Sequence, residues 1–140
     1  MKTFLLFLML VAIARPQTIE QTERTVHSME VPQYPALALQ ARVQGVVEMI
    51  VNVSATGEVT NATVDTGHPL LNALSVENIK TWRFVPASDG KSSRLHITYS
   101  YKLDDSLHPH RRLNIDLPTR VEIISPALPV FTNTSSIQAR

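Results

Sequence analysis

The chain has no cysteine. That absence removes disulfide cross-links, a thiolate zinc site and a thiol nucleophile, and also a bacterial lipid anchor, which needs a cysteine at its processing site. Nor is there a surplus of either charge: 13 Lys and Arg stand against 12 Asp and Glu, a formal net charge of +1. A nucleic-acid binder concentrates basic residues to neutralise phosphates, so nucleic acid is not an expected partner. Four glycines and nine prolines are too few for a chain disordered throughout. No Gly-x-Ser-x-Gly elbow or glycine-rich phosphate loop occurs, and the acidic pairs lack a setting that would drive their titrations apart. Neither an enzyme nor a cofactor is therefore expected.

Long hydrophobic runs are missing as well. Phe4 to Ala14 is the apolar stretch, and Arg15-Pro16 ends it far short of the roughly 20 residues that a spanning helix needs. With Lys2 before it and Ala12-Ile13-Ala14 at its end, the stretch reads as an export signal cleaved after Ala14. Export without disulfides fits the bacterial periplasm, with no stable membrane span after cleavage; an uncleaved inner-membrane anchor is the alternative. Three Asn-x-Ser/Thr sequons, at Asn52, Asn61 and Asn133, would matter only in a eukaryotic secretory route.

The expected organisation is a signal peptide at 1–14, a linker at 15–31, a domain at 32–103, an extension at 104–125 and a disordered Pro/Ser/Thr-rich tail at 126–140. Ala36 to Arg42 holds strong helix formers behind Pro35, which suits a first helical turn. Val46 to Val53 alternates, with Val47, Met49, Val51 and Val53 on one side. Ser54 to Gly57 is the turn of a hairpin that returns through Glu58 to Val64. A second helix is expected from Leu70 to about Thr81, with Leu71, Leu74, Ile79 and Trp82 on one apolar side, and Pro86 closes the segment behind it. Arg94 to Leu103 alternates cleanly, with Leu95, Ile97, Tyr99, Tyr101 and Leu103 inward. The expected fold is α+β: two helices packed on one face of a small three-stranded antiparallel sheet, in the order α-β-β-α-β. Arg112 to Leu117 and Arg120 to Ile124, split by Pro118, are two further alternating runs with the pattern of extra C-terminal strands.

Four landmarks stand in order along this stretch: Pro32-Gln33-Tyr34-Pro35, Gln44-Gly45-Val46, Thr56-Gly57-Glu58-Val59-Thr60-Asn61 and Trp82-Arg83-Phe84-Val85-Pro86. With the element order, this combination resembles the C-terminal domain of the TonB family over about Val31 to Leu103. The resemblance implies coupling of inner-membrane energy to outer-membrane receptors. The domain would capture a short receptor peptide as an added strand, which an open edge allows through main-chain hydrogen bonds. It places the peptide on the third strand, at Arg94, His96, Thr98 and Ser100, beside Val31, Pro32, Gln33 and Tyr34. Val31 stands where family members often carry Gln. The linker is also shorter than the proline-rich spacers of full-length family members, and the chain runs some 37 residues past the third strand.

The expected partner is thus an outer-membrane receptor peptide or another periplasmic protein, with a homodimer as a further arrangement. A second reading, from a different class, is a structural or assembly module that pairs with itself or with its own tail and has no transport role. Trp82 and Phe84 read as core. His108 and His110 flank Pro109 and supply too few ligands for a metal site.

Overall fold

The computed structural model describes residues 24–130. The signal peptide with its cleavage site, the first part of the linker and the end of the tail lie outside the described residues. Seven strands and two helices follow in order: β1 (Val26–Ser28), α1 (Ala36–Gln40), β2 (Gly45–Val53), β3 (Val59–Thr66), α2 (Pro69–Lys80), β4 (Arg83–Phe84), β5 (Ser93–Asp104), β6 (Arg112–Asp116) and β7 (Arg120–Pro126).

The expectation of a three-stranded antiparallel sheet carrying two packed helices is overturned. The main sheet has five strands in the order β3-β2-β5-β7-β6, and β1 and β4 form a separate two-stranded ribbon. It is mixed rather than antiparallel, because β7 pairs parallel to β5 from Thr98↔Arg120 to Asp104↔Pro126. The helices are small: α1 has 5 residues, and α2, with 12, covers β2 and β3. The reason is packing. A three-stranded sheet leaves the far side of Tyr99 and Tyr101 uncovered, and β7 fills it with Val121 beside Tyr99 and Ile123 beside Tyr101, all four buried. Part of the expected linker is likewise structured, since Val26 and Ser28 pair with Phe84 and Arg83.

Alternation along β2 buries Val47, Met49, Val51 and Val53 while Glu48 stays exposed. The hairpin to β3 closes on Gly57 N–H to Ser54 O (3.0 Å) and Ser54 N–H to Glu58 O (2.8 Å). Gly57 has φ +93°, and a Cβ there would lie 1.9 Å from the Phe84 carbonyl oxygen, so this turn admits no side chain. That close approach lets Phe84 N–H reach Gly57 O at 2.8 Å and ties the strand after α2 to the hairpin.

Helix α2 starts at Pro69 behind His68, whose Nδ1 accepts from Leu70 N–H at 3.2 Å. It buries Leu71, Ser75 and Ile79, whereas Leu74, expected on the apolar side, is 40% exposed. Ser75 occupies the buried position instead, and its hydroxyl bonds both Leu71 O and the Tyr101 hydroxyl at 2.8 Å. Asn78 is the second polar hub: its Oδ1 accepts from Tyr99 Oη (2.6 Å) and Trp82 Nε1 (3.2 Å), and its Nδ2 donates to Glu30 O (2.9 Å). Trp82 and Phe84 are core, as their helix-end position implies.

Candidate functional site

An open sheet edge recruits other chains because its main-chain N–H and C=O groups lack partners, so the site is built from edges. Neighbouring residues of a strand turn these groups to opposite sides. Thr98 N–H donates to Thr119 O (2.8 Å) and Ala127 N–H to Asp104 O (3.1 Å). The even-numbered residues of β5 therefore face β7, and the odd-numbered ones face β2. Thr98 and Ser100, both expected to bind a peptide through their main chain, have those groups bonded to β7. Arg94 and His96 lie before its start, and both are exposed. Half of the expected edge is thus paired from within, and the other half lies outside the paired stretch.

The hairpin that does this leaves β5 through residues 105–111 and passes beyond the position of β7, two strand spacings or about 10 Å away, before returning. Asp104 ties the passage down: its carboxylate accepts from Ser106 N–H (3.0 Å), His110 N–H (3.2 Å) and Arg112 Nη2 (3.3 Å). The hydrogen bonds from Ser106 and then His110, with Arg112 adding its charge, hold the Asp104 carboxyl below the usual aspartate value. A second tie crosses the open face of the sheet. Lys102 pairs with Glu122, which also accepts from Asn114 Nδ2 at 2.6 Å, and these bonds keep Glu122 below the usual glutamate value. Together with Glu48, Thr98, Ser100 and Arg120 they line a trough of about 500 Å³ on that face.

The second group of expected site residues lies elsewhere. Val31 is 69% exposed, Pro32 is buried, Gln33 is exposed, and Tyr34 is 9% exposed. Val31, Gln33 and Tyr34 line a groove of about 410 Å³ against Leu74, Glu77 and Asn78 of α2. Tyr34 packs edge-on against Tyr101 with ring centroids 5.3 Å apart, and its hydroxyl donates to Val43 O at 2.5 Å. Burial, with Tyr101 close by, pushes the Tyr34 hydroxyl up to about 12. Burial likewise raises Tyr99 and Tyr101, so all three phenols stay neutral hydrogen-bonding groups. Tyr34 thus sits on the helix side of the sheet, while the Arg94, His96, Thr98 and Ser100 side chains occupy the opposite face. The structure does not bring the two groups together. The residues missed from sequence are those of β7: their alternation was visible, but nothing local shows that the second run slips between β5 and the first.

These features define a class, a small domain whose main sheet is extended by two further strands of its own chain, β7 and β6. The model of the family described as Gram-negative bacterial TonB protein C-terminal matches residues 30–103, and the chain belongs to that family. The match takes in α1 through all but the last residue of β5, and leaves β1, β6 and β7 outside. No curated protein matches the chain. The family is one of non-enzymatic protein-interaction domains of the bacterial envelope, and its partners are outer-membrane receptors. Among the described residues no helix is long and apolar enough to cross a membrane.

Proposed function

We propose that the protein is a periplasmic interaction module, exported by its N-terminal signal and serving energy-coupled transport across the outer membrane. It binds an extended segment of a receptor or periplasmic partner by strand addition at β5. The observation that carries the reading is that β5 already accepts a parallel strand from outside the family-matched region, over seven residue pairs. An edge that pairs with β7 through its main chain makes little demand on side chains and would pair with a receptor segment in the same way. The partner segment begins on the uncovered stretch at Arg94 and His96 and extends by displacing β7.

The burial of Val121 and Ile123 favours a second reading, in which β7 is a permanent strand and the domain is a structural or assembly module without a transport role. Each of these side chains contributes about 1.5–3 kcal/mol by leaving water, so β7 is costly to remove. One experiment separates the two. Full-length protein is mixed with peptides copying the periplasm-facing N-terminal segments of outer-membrane receptors, and amide exchange is followed along β5 and β7. Ser125→Pro, which deletes a main-chain donor facing β5 near the end of β7, is run in parallel. Peptide binding should protect Arg94 and His96 and speed exchange in β7, at lower peptide concentration in the variant. If β7 exchanges only with global unfolding and no peptide protects β5 in either protein, the assembly reading stands and the transport reading falls.

A further inference from the structure

The main sheet ends on β3 at one side and β6 at the other. The two edges are guarded differently. The β2–β3 ladder breaks register twice, between Glu48 and Met49 and between Asn52 and Val53. Such irregularities twist an edge away from incoming strands. The β6–β7 ladder is regular over five pairs, from Arg112↔Ile124 to Asp116↔Arg120. Beyond β6 no strand lies among the described residues, and β6 carries neither proline nor lysine to blunt it.

The outward groups follow from alternation. Even-numbered residues of β7 turn away from β5 and toward β6, so Arg112, Asn114 and Asp116 bond inward. Leu113 and Ile115 point their N–H and C=O groups outward. Ile115 also leaves 41% of its surface in water, and Leu117, next along the chain, leaves 44%. Read backwards, Arg112-Leu113-Asn114-Ile115-Asp116 is its own complement: basic opposite acidic, aliphatic opposite aliphatic, amide opposite amide.

We infer that the outer edge of β6 pairs antiparallel with β6 of a second copy of this chain, about a two-fold axis through Asn114, joining two five-stranded sheets into one of ten. In this register Leu113 faces Ile115 of the other copy. These are the residues with free outward groups, so four main-chain hydrogen bonds form and none is taken from β7. Arg112 faces Asp116 twice across the axis. Asn114 meets its own copy in the closer, non-hydrogen-bonded pairing. Oppositely charged cross-strand pairs are favourable and like charges opposite each other are not, so the charge order selects this register. The symmetry is isologous, which closes at two copies instead of propagating into a fibre. Arg112 is able to serve both contacts, because its present bond to Asp104 is long at 3.3 Å and its side chain is 59% exposed. The inference does not rest on the receptor reading, since β6 lies outside the family-matched residues and pairs with β7, not with β5.

Sedimentation equilibrium on the full-length protein, from micromolar to millimolar, tests this. The wild type should show a monomer–dimer equilibrium that weakens with salt. Ile115→Pro removes an outward donor without touching the β7 ladder, and should raise the dimer dissociation constant at least about tenfold while leaving the melting temperature near that of wild type. R112D and D116R each set like charges opposite one another across the axis, so each alone should be monomeric. Mixed together, they restore opposite charges at both ends and should dimerise. A wild type that stays monomeric throughout overturns the inference. So does a dimer that survives Ile115→Pro, or a mixture of the two charge variants that remains monomeric.

Discussion

At the scale of single residues, two hydroxyls inside the core depend on each other unequally. Ser75 has two partners, Leu71 O and Tyr101 Oη, and Tyr101 has Ser75. The two truncations are therefore unequal. Ser75→Ala strands a buried phenol and should cost about 1–3 kcal/mol, whereas Tyr101→Phe leaves Ser75 bonded to Leu71 O and should cost about 0.5–1.5 kcal/mol. Urea unfolding of the two variants checks the order, and a Tyr101→Phe more damaging than Ser75→Ala would disprove it. The sequence showed Tyr101 as inward by its parity with Leu95, Ile97 and Tyr99. It did not show Ser75 as inward, because helical periodicity marks a buried face by apolar residues, and a serine that satisfies its hydroxyl on the preceding turn leaves no such mark. Leu74 carried that mark and lies at the surface.

At the scale of elements, the same contrast explains which parts of the fold were legible. The β2–β3 hairpin, α2 and β5 announce themselves through local pattern: alternation, a glycine turn, a helical run closed by Pro86. β6 and β7 alternate too, yet a sheet order in which β7 lies inside β6 is a long-range fact that no local pattern carries. The two groups of expected peptide-binding residues fall on different faces for the same reason. Arg94, His96, Thr98 and Ser100 share a face as alternation requires, but Val31 and Tyr34 reach the opposite side of the sheet by the path of the intervening loop. The turn around Asp104 fastens the passage that leads into the inserted pair. Its lowered carboxyl stabilises this region above the ordinary aspartate value and releases it as pH falls through the lower folded value. Asp104→Asn should therefore speed amide exchange across 105–111 several-fold at neutral pH with little change in melting temperature. The difference from wild type should shrink in acid, where the wild-type carboxyl is itself protonated. Exchange unchanged at neutral pH would show that the loop is held otherwise.

For the molecule as a whole, a chain of three tyrosines runs through the core to one tryptophan. Tyr34 meets Tyr101, Tyr101 lies 6.4 Å from Tyr99, and Tyr99 lies 6.3 Å from Trp82. All three phenols titrate above the ordinary tyrosine value, Tyr34 at about 12. Their stabilisation is complete below the unfolded value near 10 and is lost as pH rises through the folded values, because the unfolded chain sheds those protons first. Melting temperature should thus hold steady up to about pH 10 and fall steeply beyond it. In Tyr34→Phe the fall should be shallower, and an identical alkaline profile would refute the assignment.

The parallel seating of β7 also fixes how the domain bears load. Arg24 bonds Ser54 O and borders Leu117 and Pro118, at the end where β5 starts, whereas Pro126 lies beside Asp104, at the end where β5 finishes. Tension applied between the two ends of the described chain therefore runs along the strands and shears β7 against β5, so that the whole ladder resists at once. The antiparallel β6–β7 pair, pulled open from its own two ends, would instead peel one bond at a time. Pulled by the two ends of its described residues, the domain keeps β7 clamped; the same strand drawn out sideways comes away like a zip.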